Sequence, residues 1–248
     1  MRQLIAGNWK MHGLSDQLPE IELMAACVAS RPLHADVLLC VPATLISRAV
    51  QVAAGRLPMG GEDCHAEASG SFTGDVSAEM LKDAGATTVI VGHSERRRLH
   101  QETDAVVAAK ALAGFRAGLS IIVCIGETQE QRSNGRALTS CASQLAGSLF
   151  SAPSKPAVTA IAYEPLWAIG SGHPPSSEQV TEMHQHIRSC LMTQFGGFGS
   201  AIRILYGGSV TSDNAAEILS IPEVGGLLIG GASLKADKFD AILGLTDR

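Results

Sequence analysis

Long apolar runs are missing from this sequence of 248 residues. Stretches such as SIIVCIG fall far short of the ~18 residues that a membrane-crossing helix needs. The opening MRQLIAGNWK breaks off into Asn8 and Lys10 too early for a cleavable secretory signal. Excess positive charge is missing as well. Lys and Arg number 19 against 24 Asp and Glu, a net −5, so nucleic acid is not an expected partner. Cysteine pairs are absent: Cys27, Cys40, Cys64, Cys124, Cys141 and Cys190 form no C-x-x-C unit, which reads as reduced thiols in a reducing compartment. Metal spacing is lacking too, because His184 and His186 stand two apart and a helix would turn them about 200° from one another. These absences predict a cytoplasmic protein without a membrane partner or a metal.

What the sequence does have is apolar material and glycine. Hydrophobic residues make up 46% of the chain, enough for a sizeable core, and the 26 glycines are about 10%, above the usual ~7%. The apolar residues fall into short runs at 4–8, 36–41, 57–63, 87–92, 119–126, 157–164, 202–208 and 225–231. Each is closed by Gly, Pro, Asn or Asp, the pattern of strands buried on both faces of a parallel sheet. Between them lie helical stretches at 15–30, 43–55, 77–85, 102–117, 128–149, 176–194, 212–219 and 233–244. Ser94, Ser177 and the pair Ser212 and Asp213 stand where N-caps belong, and Gly55, Gly85 and Gly118 where helices should end.

Eight strand-helix units in 248 residues average 31 each, the size of a βα step with its crossover. No linker divides the chain. The expected fold is therefore α/β, one (β/α)8 barrel domain spanning 1–248. An open doubly wound sheet is the rival, but it would want G-x-G-x-x-G after the first strand, where GNWKMHG stands.

A barrel of this kind places its chemistry at the C-terminal ends of the strands. There the sequence offers Asn8 and Lys10, then His93 followed by Ser94, Glu95 and a basic run, then Glu164 and Pro165, and finally the turns Gly207-Gly208-Ser209 and Gly230-Gly231. Each has a plain alternative: a satisfied core histidine, a solvated lysine, a surface ion pair, ordinary turns. Position argues further. His93 ends an apolar strand and precedes a helix whose positive end would keep the ring neutral. Lys10 is flanked by Trp9 and Met11, which would desolvate it, and Glu164 is fixed by Pro165. Two glycine turns leading into helices match how barrels hold phosphate. The segment Pro165, Leu166, Trp167, Ala168, Ile169, Gly170, Ser171, Gly172 is apolar with glycine near one end, as a lid that excludes water would be.

Taken together, AGNWKMHG at 6–13, GHSERR at 92–97, YEPLWAIGSG at 163–172, YGGSV at 206–210 and GGASL at 230–234 resemble the triosephosphate isomerase family, in order and along essentially the whole chain. The resemblance implies an aldose–ketose isomerase acting on a small sugar phosphate in glycolysis or gluconeogenesis, with no cofactor. By resemblance, Glu164 is the base, neutral His93 polarises the carbonyl and shuttles protons, Lys10 offsets enediolate charge and Asn8 helps hold the oxygen. Gly170, Ser209, Gly230 and Gly231 would grip the phosphate through backbone N–H groups, and Glu95 would support Lys10. The loop at 64–76, with Thr73, would insert into a second subunit, which implies a homodimer.

His12 and Glu62 stand where Asn and Gln are common in that family, and Ser171 where Thr is frequent. The lid's far end, His173-Pro174-Pro175, is stiffened by two prolines, which predicts restricted lid motion. Two other functions fit the same residues: isomerisation of a tetrose phosphate, and sugar-phosphate binding without turnover.

Overall fold

A computed structural model describes residues 1–149, 160–170 and 174–246 of the chain. Among these, eight parallel strands close into a barrel in chain order: β1 (Gln3–Asn8), β2 (Ala35–Cys40), β3 (Met59–Gly61), β4 (Thr88–Val91), β5 (Ser120–Ile125), β6 (Ala160–Tyr163), β7 (Arg203–Tyr206) and β8 (Gly226–Ile229). Closure comes from β1, where Ile5 is in register with Val37 of β2 on one side and Leu227 of β8 on the other. The surrounding helices are α1 (Leu18–Ser30), α2 (Ile46–Ala53), α3 (Ala78–Asp83), α4 (Ser94–Leu99), α5 (Asp104–Arg116), α6 (Gln129–Ser133), α7 (Ala137–Ser148), α8 (Ser177–Phe195), α9 (Ala215–Ser220) and α10 (Ala236–Leu243). Each predicted run overlaps one strand, with β1 and β2 starting one residue before theirs. For the sixth run, positions 157–159 lie outside the described residues.

Alternation along the strands builds two separate cores. Leu4 and Ala6 of β1, Ile122 and Cys124 of β5, Ala160 and Ala162 of β6, and Leu205 and Leu228 fill the lumen. Their neighbours Ile5, Ile121, Val123 and Ile161 point outward into the helix layer. Both faces are dry, which is why the strands read as unbroken apolar runs; each such Ile or Leu contributes roughly 1.5–3 kcal/mol by leaving water. The same two-residue period carries the inward row past the last apolar layer to Asn8, Glu62, Glu164, Gly207 and Gly230. Polar side chains are thereby delivered to one mouth of the cylinder.

Several expectations about helix ends are corrected. The N-cap of α4 is His93, not Ser94: His93 Nδ1 accepts from the Glu95 backbone N–H at 3.3 Å. Ser176, not Ser177, caps α8 in a reciprocal arrangement, with Ser176 Oγ accepting from Gln179 N–H at 3.3 Å and Gln179 Oε1 accepting from Ser176 N–H at 2.9 Å. Ser212 and Asp213 lie in the turn before α9, which Asn214 opens. Capping depends on which single residue keeps an extended backbone, and local composition does not resolve that phase. The stretch 128–149 is two helices, because Gly135 adopts φ +68° between α6 and α7. Gly85 and Gly118 do follow helix ends in the left-handed region, at φ +97° and +72°.

Candidate active site

The end of β1 is held against the end of β8. Trp9 is buried and its Nε1 donates to the Ser233 carbonyl at 2.6 Å. Ser233 in turn donates through Oγ to the Gly230 carbonyl at 2.7 Å, which shapes the glycine turn. Gly7 permits this approach, since a Cβ there would meet the Ser233 Cβ at 2.8 Å. Two residues past β1, Lys10 has φ +58°, a conformation only a few per cent of non-glycine residues take. Asn8 Oδ1 accepts from the Lys10 N–H at 3.1 Å and fixes that turn. The Lys10 Nζ then reaches Glu95 Oε1 of α4 at 2.6 Å. Burial alone would raise Glu95, but the Lys10 hydrogen bond and the neighbouring His93 hold it below the usual carboxylate range.

Glu164 follows β6, its N–H continuing the ladder to the Ile125 carbonyl at 2.8 Å. Its carboxylate is buried at 2% exposure and fully engaged. Oε2 accepts from the Ser94 backbone N–H at 2.9 Å, and Oε1 from Ser94 Oγ at 3.2 Å. His93 Nε2 lies 2.8 Å from the same Oε1. Because the Glu95 N–H donates to Nδ1, the ring hydrogen is assigned to Nε2. Burial pulls the His93 pKa down, but the charge and hydrogen bond of Glu164 outweigh it, and the ring is held above its ordinary value. With Nδ1 accepting and the hydrogen on Nε2 the ring is the neutral tautomer, and the carboxylate at hydrogen-bond distance opposes the neutral bias expected from the helix start.

Above these groups opens a cavity of about 460 Å³. Asn8, Lys10, His93, Ser209, Gly230 and Gly231 line it, together with Ile169 of the expected lid. Among the described residues no three His, Cys, Asp or Glu side chains converge as metal ligands, and no helix is long and apolar enough to cross a membrane.

A family model described as triosephosphate isomerase matches residues 3–246. The chain belongs to the triosephosphate isomerase family. Among its relatives, the triosephosphate isomerase of Rhodopseudomonas palustris is 54% identical over 98% of this chain and 96% of that protein. The one from Hyphomonas neptunium is 55% identical over 97% of each. In structure, the crystallised triosephosphate isomerase from Bartonella henselae superposes with a TM-score of 0.92, at 46% identity, covering both chains completely.

Within this triosephosphate isomerase family chain, not every residue singled out from the sequence reaches the cavity wall. Glu164, Glu95 and Gly170 do not line it. Met11 is 97% exposed and does not wall in Lys10; the lysine is half-buried by its pairing with Glu95 instead. The lid segment is described from Pro165 to Gly170, whereas Ser171 and Gly172 lie outside the described residues, as does His173. Trp167 anchors it: its Nε1 donates to Glu127 Oε1 at 2.8 Å, an oxygen that also accepts from Tyr163 OH at 3.0 Å and Arg132 Nη1 at 2.9 Å. Glu127, fully buried, stands two residues past β5, and that strand-end position is the signal that could have marked it as a site residue. Lys238 of α10 also lines the cavity, and nothing in its polar local sequence signals that.

Proposed function

We propose that the chain, acting as one (β/α)8 domain, interconverts dihydroxyacetone phosphate and D-glyceraldehyde 3-phosphate. Glu164 takes a proton from the carbon beside the carbonyl and returns one to the neighbouring carbon. His93 donates its Nε2 hydrogen to the carbonyl oxygen and relays it between the two enediolate oxygens. Lys10 and Asn8 stabilise the negative charge that develops on oxygen, and the backbone N–H groups of Gly170, Ser209, Gly230 and Gly231 hold the phosphate. Atoms balance with no net oxidation.

The observation that carries this reading is the sharing of Glu164 Oε1 between His93 Nε2 at 2.8 Å and Ser94 Oγ at 3.2 Å, beside a cavity walled by Lys10 and Asn8. A carboxylate this engaged must exchange partners before it can act as a base. Once it turns to substrate, the influence raising the His93 pKa weakens while burial remains, so the neutral ring that donates through Nε2 is favoured further. Gly207 leaves room for the turn, because a Cβ there would lie 3.0 Å from Glu164 Cγ. Closure of the lid over the site excludes water from the enediolate, which could otherwise lose phosphate.

A homodimer in the cytoplasm completes the reading. The loop at 64–76 is tied at its base by His65 N–H to the Val76 carbonyl at 2.8 Å, and it carries exposed Phe72 and Thr73. Met11 and Leu14, beside the Lys10 turn, are also exposed, and apolar side chains so placed favour burial against a second copy.

The test is a coupled assay with glyceraldehyde 3-phosphate, run beside a four-carbon phosphate. Wild type is expected to prefer the triose, and Glu164→Gln to lose at least ~10²-fold in kcat. Phosphate binding without turnover in wild type would replace this reading with a binding protein.

A further inference from the structure

Helix α4 presents several groups of the site, yet apolar packing does not hold it. His93 caps it, Ser94 receives the Glu164 carboxylate and Glu95 pairs with Lys10. None of its six residues is buried, and its one apolar side chain, Leu99, is 64% exposed. The placement of these groups therefore depends on charge-assisted polar anchors. Arg96 supplies one, pairing with Asp63 at 2.9 Å and Glu102 at 2.7 Å, both outside the strands. Arg97 supplies the other, and it reaches the barrel itself.

The ladder between β4 and β5 ends at the pair Val91 and Val123. Just past that pair, the Gly92 carbonyl accepts from Arg97 Nε at 2.9 Å and the Cys124 carbonyl from Nη2 at 3.2 Å. The guanidinium thus satisfies two carbonyls of buried residues where the strands part. Its other bonds close a ring: Nη1 donates to Asp104 Oδ1 at 2.6 Å, Nη2 to Ser148 Oγ at 2.9 Å, and Ser148 Oγ to the same Asp104 oxygen at 3.2 Å. Cys124 precedes Ile125, whose carbonyl accepts the Glu164 backbone N–H. One side chain therefore fixes both the helix that receives the Glu164 carboxylate and the strand that supports the Glu164 backbone.

We propose that Arg97 is a positioning residue for proton transfer, holding α4 against the ends of β4 and β5 so that Ser94 and His93 stand at the distances on which the partner exchange of Glu164 depends. The inference rests on the reading of Glu164 as the base. Arg97 does not line the cavity, so its loss falls on turnover and leaves ligand capture in place. Charge alone does not suffice, because a lysine offers one compact ammonium and cannot span the acceptors that the guanidinium fork reaches.

The experiment compares wild type, Arg97→Lys, Arg97→Gln and Arg203→Gln by kcat and KM for glyceraldehyde 3-phosphate, by urea unfolding and by hydrogen exchange at the Ser94 amide. Arg203 is the control. Its side chain is as exposed as that of Arg97, 16% in each, and its pair with Asp36 is also 2.6 Å long, but it stands at the start of β7, the far end of the barrel. Arg97→Lys should lower kcat by on the order of tenfold with KM within about threefold, since a displacement of ~1 Å at a reacting group costs up to ~10²-fold. Exchange at the Ser94 amide, which donates to Glu164 Oε2 at 2.9 Å, should accelerate by on the order of tenfold. Arg203→Gln should lose stability while keeping kcat and Ser94 exchange within about twofold of wild type. Arg97→Gln should match Arg97→Lys in kcat; if it fails to fold, Arg97→Lys, which keeps a cation beside Asp104, decides alone. A kcat for Arg97→Lys within about twofold of wild type would overturn the proposal. So would a loss confined to KM, or one matched by Arg203→Gln. Ser94 exchange needs no turnover, so the two readings fail separately. Wild type inert toward trioses would remove the isomerase reading even if Ser94 exchange answers to Arg97, whereas an active wild type whose kcat ignores Arg97→Lys removes this proposal alone.

Discussion

Replacing Glu62 by Gln should make the protein more stable, and increasingly so as pH rises from acid to neutral. Glu62 is one inward step beyond Gly60, under the Lys10 turn, and its Oε1 is buried with no hydrogen-bond partner among the described residues. Burial pushes its pKa from the ordinary 4.5 up to about 8; the Lys10 backbone amide eases this, and the Glu95 charge adds to it. The sign follows from linkage. Below pH 4.5 the acid is protonated in both folded and unfolded chains and contributes no pH dependence. Between 4.5 and about 8 the unfolded chain ionises while the folded one does not, so stability falls steadily as pH rises. At 1.36 kcal/mol per pH unit the penalty reaches roughly 3 kcal/mol at pH 7 and levels off above pH 8. Glutamine has the same shape and no charge to lose. Any fixed cost of its own amide is the same at every pH and drops out of the slope. Urea unfolding of both proteins between pH 4.5 and 8.5 reads the difference directly. Parallel stability curves for wild type and Glu62→Gln would refute the reasoning.

A second titration runs the opposite way. His184 is buried edge-on to Tyr163 at 5.8 Å between ring centres, and burial lowers its pKa to about 4. Stability should therefore be intact above pH 6.5 and decline by roughly 3 kcal/mol as pH falls to 4; His184→Gln should remove that acid slope in the same unfolding series, and an unchanged slope would show the histidine is not its source. Trp167→Phe deletes an indole N–H to the buried Glu127 carboxylate, a bond to a charged group worth about 1.5–3 kcal/mol. Hydrogen exchange at the Ala168 amide, bonded to the Pro165 carbonyl at 2.9 Å, should accelerate at least ~10-fold, whereas equal exchange would mean the lid segment is anchored elsewhere.

The architecture was legible because a parallel barrel buries both faces of each strand, and residues such as Ile121 to Ile125 then have nowhere polar to point. Strand ends were equally legible: the alternation that puts Ala160 and Ala162 in the lumen puts Glu164 at the mouth. What stayed hidden depends on contacts between distant segments. Glu164 rests on Ser94, 70 positions away, and its carboxylate beside His93 opposes the bias that the helix start alone predicts. Glu62 looked like a family variation at a predicted interface, while its burial arises from the segments closing over the end of β3. Lys238 reads as one more charge on an amphipathic helix, and only the folded chain shows that it lines the cavity.

The most direct measurement is a crystal structure with a non-reacting three-carbon phosphate analogue bound. The account predicts the Glu164 carboxylate released from Ser94 and standing within about 3 Å of the ligand carbon beside the carbonyl position. A ligand seated on Gly230 and Gly231 while Glu164 stayed on Ser94 and His93 would contradict it.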